Sequence, residues 1–541
     1  MPRPKLNEMT LREKIGQTGF PGPGEVRRGV QRLGGYDKYF TEYPFCGLYV
    51  DNTISDADGN KFSSPTAIAQ TLADASNNIN IPLFVSCDYE LGANTLFPEL
   101  HRIPSNLSLG ATRSKELAYE RGYMWAKEVK SFGVNWPFAP VGDLIGNFFS
   151  GSVRCLSDNP EIAVELLPSM IQGIQDAGLA ATTKHFPSGS RDYRNSHFCS
   201  VKNNTTKEEW ERRMKPVWQS AVDAGTLSFM VGHAAFPALD STCARGNITR
   251  PTSASSRIND IIRKDLGFNG VVVTDAVSMK ALTEAFEHDD MYVECFNAGN
   301  DVILFVHDDY IDVMEKAVLD GRISMERLDK SVERILDLKE KLGLFDGDIK
   351  AADPLTDEEI RHFEQTNYEI AKKAMTLINN TKIPFSPSEV KKATIIAITP
   401  DKPFLESLSV MADALEERGI RANVSDGIKS KEWLKEISET EDIIIYACCL
   451  AQGFLSGMPF YSTPENLLTL FDSFAHGADK SVVVSFDAPS LYYNYFENAD
   501  MYINAYSCDT GTLRAFVGGI LGDFEFTGKS PVALRPKFDF N

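Results

Sequence analysis

Two stretches of the chain carry side chains able to do chemistry. The first, TTKHFPSGSRDYRNSH, begins at Thr182 and holds Lys184, His185, Asp192, Asn195 and His197. The second, GFNGVVVTDAVSMKAL, begins at Gly267 and puts Asp275 directly after a run of β-branched residues. A carboxylate in that position has three uses: a nucleophile, a metal ligand, or a cap on the first turn of the following helix. Composition alone favours the cap. Lys184 and His185 are consecutive, and consecutive side chains of a regular strand leave opposite faces. Both serve one ligand only if the chain bends or bulges, a departure that Pro187, Ser188 and Gly189 just downstream favour. The polar loop from Ser188 to Ser196 ends on His197, an imidazole suited to proton transfer near neutrality.

These groups act together only if the fold gathers them. From about residue 45 to 345, short apolar runs alternate with long amphipathic segments. The runs include CGLYVDN from Cys46, PLFVSCD from Pro82, VNWPFAPVGD from Val134, LSFMVGH from Leu227 and DVILFVH from Asp301. Near-continuous apolar strands alternating with helices predict a parallel sheet buried on both faces. Almost every run ends on a polar residue: Asp51, Asp88, Asp143, Lys184 with His185, His233, Asp275 and His307. In a (β/α)8 barrel the C-terminal strand ends converge on one mouth, where active sites are built. The expected fold is therefore α/β: an N-terminal TIM-like (β/α)8 barrel over residues 1–345, followed by a smaller α/β layered domain. A polar linker and a helix from about Asp357 to Leu377 fill 346–385, and the second domain occupies 386–541. His233 reads equally as pocket-lining or structural, and His307 as structural.

Bulk properties exclude other classes. The 541 residues carry 75 acidic and 55 basic side chains, a formal charge of −20, which repels nucleic acid and anionic lipid. No apolar stretch approaches the roughly 20 residues needed to span a bilayer, and the first residues do not read as a signal peptide. Nine cysteines lie at irregular spacing without a CxxC pair, so free thiols in a reducing cytoplasm are expected. Histidines and cysteines do not cluster at ligand spacing, so neither a metal nor another cofactor is expected.

At KHFPSGS followed by RNSH, and at TDAVSM, the sequence resembles glycoside hydrolase family 3, in particular its β-N-acetylglucosaminidase branch. Further matches are MTLREKIGQ at Met9, PLFVSCDYELG at Pro82, APVGD at Ala139, VRCLSDNP at Val153, GHAAFPALD at Gly232 and AGNDVILF at Ala298. The resemblance implies a retaining, exo-acting glycosidase with a small carbohydrate substrate and no bound cofactor. Asp275 takes the nucleophile position and forms a glycosyl-enzyme, and His197 takes that of an unusual histidine acid/base. Asp88, Arg154, Lys184 and His185 match positions that bind sugar hydroxyls, and His233 lines the pocket. Three departures stand out. Asn195 replaces the aspartate that normally partners the catalytic histidine, PSGS replaces PGHG, and Leu96 replaces a sugar-binding arginine. An amide accepts a hydrogen bond but supplies no charge. The alternatives are a β-glucosidase or β-xylosidase of the same family, or a sugar-binding protein with weak or lost turnover.

Overall fold

The computed structural model describes residues 2–145, 152–187, 192, 194–450 and 478–534; of the loop 188–196, residues 188–191 and 193 lie outside the described residues. The chain divides into two compact units. Met1–His101, Ala118–Leu144 and Leu167–Ile360 form the first, and Arg102–Leu117, Ile145–Leu166 and Arg361–Asn541 form the second.

In the first unit, short strands pair in parallel wherever the sequence is continuously apolar. Gly19–Pro21 pairs with Ile303–Val306, and Gly47–Tyr49 with Phe84–Ser86. Thr182–Phe186, Ser228–Val231 and Val271–Thr274 form a parallel triplet. Backbone hydrogen bonds join these pieces. The Cys46 N–H donates to Gly19 O at 3.1 Å, and the Phe138 N–H donates to Cys87 O at 2.9 Å. The Thr182 N–H reaches Ala139 O at 2.7 Å, and the Thr274 N–H reaches Val302 O at 3.1 Å. The ring thus closes through eight staves, all among the described residues, the eighth being the extended stretch 135–141. Pro137 and Pro140 have no N–H to give, so this stave forms no regular ladder. It still bridges in parallel from Val141 to Lys184. Every residue of Val271–Thr274 is buried, as a strand covered on both faces requires.

The barrel is packed rather than hollow. Phe20, Phe84, Trp136, Phe138, Met230 and Val273 belong to one buried cluster, with Trp136 edge-on to Phe138 at 5.5 Å. At the opposite end from the strand C-termini, Lys339 reaches in from the helix Met325–Lys341 and is completely buried. Its ammonium donates to Gln17 Oε1 at 2.7 Å, Cys46 O at 3.1 Å and Pro82 O at 2.6 Å, and lies 4.8 Å from the Phe84 ring centre. Burial draws its pKa down to about 7, while the three oxygens hold its protons in place.

The second unit is built on a six-stranded sheet in the order Thr376–Asn379, Tyr502–Asn504, Ser481–Ser485, Ile443–Cys448, Lys392–Ile398, Arg421–Ser425. The first pair is antiparallel and the rest are parallel. Alternate residues of its central strands face two separate cores. Ile395, Ile445 and Val484 point to one, Ile396, Ile444 and Val483 to the other, the layering expected of an α/β domain. The helix predicted near Asp357 spans Asp357–Ala374. Segments 102–117 and 145–166 join this unit through contacts such as Ser105 Oγ to Tyr506 O, 2.7 Å.

Lys339→Met is expected to destabilise the protein by about 3 kcal/mol, because three buried oxygens lose their donor. Since Lys339 binds its proton less tightly when folded, the unfolded chain holds more protons between about pH 7 and 10. Native stability from this group therefore rises with pH across that window. Urea unfolding followed by tryptophan fluorescence should show the gap between wild type and variant widening from pH 7 to 10.

Candidate active site

Asp275 stands one residue beyond Val271–Thr274, and its N–H donates to Val231 O of the neighbouring strand at 2.8 Å. Oδ1 accepts the Ala276 N–H at 2.8 Å. Burial by itself would raise the carboxyl pKa, but His185, His233, the Ala276 N–H and Lys184 together hold it below the ordinary value. The result is a carboxylate held in its ionised form.

Each of these supporting groups is itself supported. The ladder between Thr182–Phe186 and Ser228–Val231 slips between Lys184 and Phe186, so the strand departs from strict alternation where both residues are needed. Lys184, 2 % exposed, pairs with Asp88 Oδ1 at 2.5 Å and with Glu90 Oε1 at 2.6 Å. Asp88 Oδ2 also accepts from the Tyr49 hydroxyl at 2.8 Å. Burial and the Asp88 charge push that phenol well above its ordinary pKa, keeping it a donor. Phe305, held at a left-handed φ of 63°, meets the Tyr49 ring edge-on at 5.2 Å.

His185 Nδ1 lies 2.7 Å from Asp143 Oδ2; a carboxylate can only accept, so this nitrogen carries the proton. His233 is buried, which lowers its pKa. Its Nε2 lies 3.0 Å from Ala276 O, again an obligate acceptor, and its Nδ1 lies 2.7 Å from Ser253 Oγ. His233 is thus a buried wedge behind the turn that carries Asp275.

His197 sits apart from the strands. The Asn195 side-chain oxygen accepts the His197 N–H at 2.9 Å and faces Nδ1 at 2.7 Å. A backbone N–H can only donate, which identifies that atom as the oxygen and makes Nδ1 the protonated nitrogen. Nε2 of the neutral ring then holds the lone pair. The Lys280 and Ala281 N–H groups donate to His197 O at 3.3 Å and Ser196 O at 3.0 Å, tying this segment to the turn after Asp275. Asp192 is held by Arg194 at 2.5 Å and by the Lys202 N–H at 3.2 Å.

The strand-end residues are not all brought together. Asp88, Asp143, Lys184, His185, His233 and Asp275 are linked by the contacts above. Asp51 instead accepts from the Thr53 N–H and hydroxyl at 2.8 and 2.6 Å, and His307 pairs with Glu25 at 2.9 Å. Arg154 belongs to the second unit, on the turn Ser152–Arg154, where its carbonyl accepts from Asn106 at 2.6 Å. Glu90, Tyr49 and Ser253 were not singled out from the sequence. Glu90 left a usable sign, lying two residues beyond Asp88 and so on the same side of an extended chain. Ser253, distant in sequence from His233, left none. Among the described residues no group of three or more His, Cys, Asp or Glu is placed to hold a metal ion.

A carboxylate kept ionised at the mouth of a closed barrel, with a loop imidazole tied to the turn that follows it, invites comparison with known proteins. Residues 49–338 match the glycosyl hydrolase family 3 N-terminal domain. The chain belongs to glycoside hydrolase family 3. A relative from Cellulomonas fimi, a β-N-acetylglucosaminidase/β-glucosidase, is 27 % identical over 490 residues, covering 86 % of each chain. Two solved structures share the fold. A β-glucoside phosphorylase superposes with a TM-score of 0.82 at 21 % identity, over 98 % of this chain and 94 % of its own. A family 3 β-N-acetylglucosaminidase from Paenibacillus sp. str. FPU-7 gives 0.77 at 24 % identity, over 97 % and 99 %. Family 3 membership makes this chain a glycoside hydrolase acting on carbohydrate, and no helix among the described residues is long and apolar enough to cross a membrane.

The wedge behind Asp275 is open to test. His233→Ala takes a donor from Ala276 O and a partner from Ser253, and is expected to lower stability by about 2 kcal/mol in urea unfolding; Ser253→Ala should cost about half as much. A silent His233→Ala would mean that the turn holds itself.

Proposed function

We propose that the protein is a retaining, exo-acting β-N-acetylglucosaminidase in which Asp275 is the nucleophile and His197 the acid/base. The observation that carries this reading is the half-buried Asp275 carboxylate, whose pKa His185, His233 and Lys184 hold below the ordinary value. A nucleophile must be deprotonated in the free enzyme, and no helix needs so costly a cap. The carboxylate attacks the anomeric carbon as His197, protonated at Nε2, gives its proton to the leaving oxygen. The neutral ring then takes a proton from the acceptor that releases the sugar. Asp88, Lys184 and His185 would bind hydroxyls of the terminal sugar, giving the discrimination that polar groups allow. The choice of N-acetylglucosamine rests on the relatives above. A cytoplasmic setting is supported by cysteines that are all free thiols.

A second reading concerns the acceptor. The partner of His197 is a neutral amide rather than a carboxylate, so no charge at that position repels an anion. One similar structure is a β-glucoside phosphorylase, and phosphate is the corresponding acceptor. Release of sugar 1-phosphate when inorganic phosphate is added, in place of free sugar, would establish it.

Chromogenic β-N-acetylglucosaminide, β-glucoside and β-xyloside assayed side by side test the sugar; ligand binding without turnover of any of them would leave a sugar-binding protein. Asp275→Asn should abolish turnover with unfolding behaviour unchanged, because the amide keeps the Ala276 hydrogen bond. A 2-fluoro glycoside should label Asp275, and labelling of another carboxylate would refute the assignment.

Asn195→Asp supplies the charge that favours the His197 imidazolium. Turnover of substrates with poor leaving groups should rise about tenfold, while nitrophenyl glycosides, which need little proton help, should change little. If this variant and His197→Ala are both silent on both substrates, the acid/base is another residue.

A further inference from the structure

Within the second unit, three chain segments meet beyond the C-terminal ends of the sheet strands. Cys449 follows Ile443–Cys448, and Cys508 lies four residues past Tyr502–Asn504. These strands are not neighbours, since Ser481–Ser485 runs between them. Strands two apart are separated by roughly 9–10 Å, so their thiols touch only because both loops curl over the end of the middle strand. The Ala505 N–H to Ser485 O bond at 2.8 Å and the Phe486 N–H to Cys448 O bond at 2.9 Å hold those loops down. Tyr506 is fixed at φ 62°, a left-handed conformation that a bulky side chain adopts only when its surroundings impose it. The turn it makes presents Cys508.

The Cys449 thiol hydrogen-bonds to Cys508, and Arg102 Nη2 donates to Cys508 Sγ at 2.7 Å. Arg102 is not there by chance. Ser105, three residues on, donates through its hydroxyl to Tyr506 O at 2.7 Å and through its N–H to Ser507 Oγ at 3.3 Å. Cys449 is buried, whereas Cys508 is partly exposed.

We propose that Cys508 and Cys449 form an oxidant-reactive dithiol site, with Cys508 as the attacking thiolate, Cys449 as the resolving thiol and hydroperoxides as the substrate class. The two thiols are unequal in the required sense. The hydrogen bond from Cys449, then the Arg102 charge, lower the Cys508 pKa against the opposing effects of burial, Asp509 and Asp487. The same hydrogen bond, then burial, keeps Cys449 protonated. In the first step the Cys508 thiolate attacks a peroxide oxygen. The O–O bond breaks, an S–O bond forms, and the alkoxide or hydroxide leaves and takes up a proton; sulfur is oxidised and peroxide reduced. In the second, Cys449 sulfur attacks the Cys508 sulfenyl sulfur. The S–S bond forms as hydroxide departs, and the Cys449 proton completes a water molecule. The product is a staple across the end of the Ser481–Ser485 strand.

Competition labelling of the full chain tests the site. With limiting iodoacetamide near pH 7, Cys508 should alkylate about tenfold faster than Cys243, although Cys243 is the more exposed thiol. Arg102→Gln should remove most of that advantage. After hydrogen peroxide, non-reducing peptide mapping should find the Cys449–Cys508 pair linked, lighter by two hydrogens and restored by dithiothreitol. Labelling that follows exposure, with Cys243 first, would overturn the proposal. So would oxidation that yields a different pair or ends at sulfinic acid on Cys508 without the link.

Discussion

Keeping the half-buried Asp275 carboxylate charged governs the arrangement of the barrel mouth. Burying a lone ion costs several kcal/mol, and Asp275 meets that cost with His185, His233, Lys184 and one backbone N–H. Those groups would be unstable neighbours on their own. Lys184 is therefore flanked by Asp88 and Glu90, His185 by Asp143, and His233 by Ser253 and Ala276. The outcome is a network in which Lys184 and both imidazoles each meet a carboxylate or a polar partner, built from side chains on different staves. The staves that lead to Asp88, Asp143, Lys184 and Asp275 cannot shift register without disturbing these pairs, so the electrostatics of the mouth and the pairing of those strands reinforce each other.

His197 belongs to a different regime. Its ring and N–H meet Asn195 of its own loop, and its carbonyl accepts from the Lys280 N–H in the turn after Asp275. In the proposed mechanism a loop position suits His197, which would serve a departing oxygen and then an arriving acceptor while Asp275 stays in place. The amide at Asn195 preserves the tautomer that an aspartate would set, since its oxygen accepts from Nδ1, but it withholds the charge. Orientation and charge, usually delivered by one residue, are uncoupled here.

Much of this was legible in the chain. Apolar runs ending on polar residues predicted the staves and most of the mouth, and Pro187 with its neighbours predicted that Lys184 and His185 would break alternation. What escaped reading was whatever depends on tertiary neighbours. Asp51 and His307 occupy equivalent strand ends yet turn to Thr53 and Glu25, because nothing local says which neighbour a side chain will find. Ser253 reaches His233 from a loop of no distinctive composition. Segments 102–117 and 145–166 read as parts of a continuous barrel, whereas their contacts lie with the second unit. Stave 135–141 was recognisable by hydrophobicity, although its two prolines deny it a regular ladder.

The lysine at the closed end of the barrel has a consequence for how the chain is made. Lys339 bridges oxygens that precede it by between 257 and 322 residues. A ribosome adds on the order of ten residues per second, so the N-terminal staves spend tens of seconds exposed before their shared donor exists. Through that interval the first segments hold their carbonyls in water, and the barrel cannot be sealed progressively from one end. A nascent chain halted short of residue 339 therefore lacks the donor that Gln17, Cys46 and Pro82 share in the finished barrel.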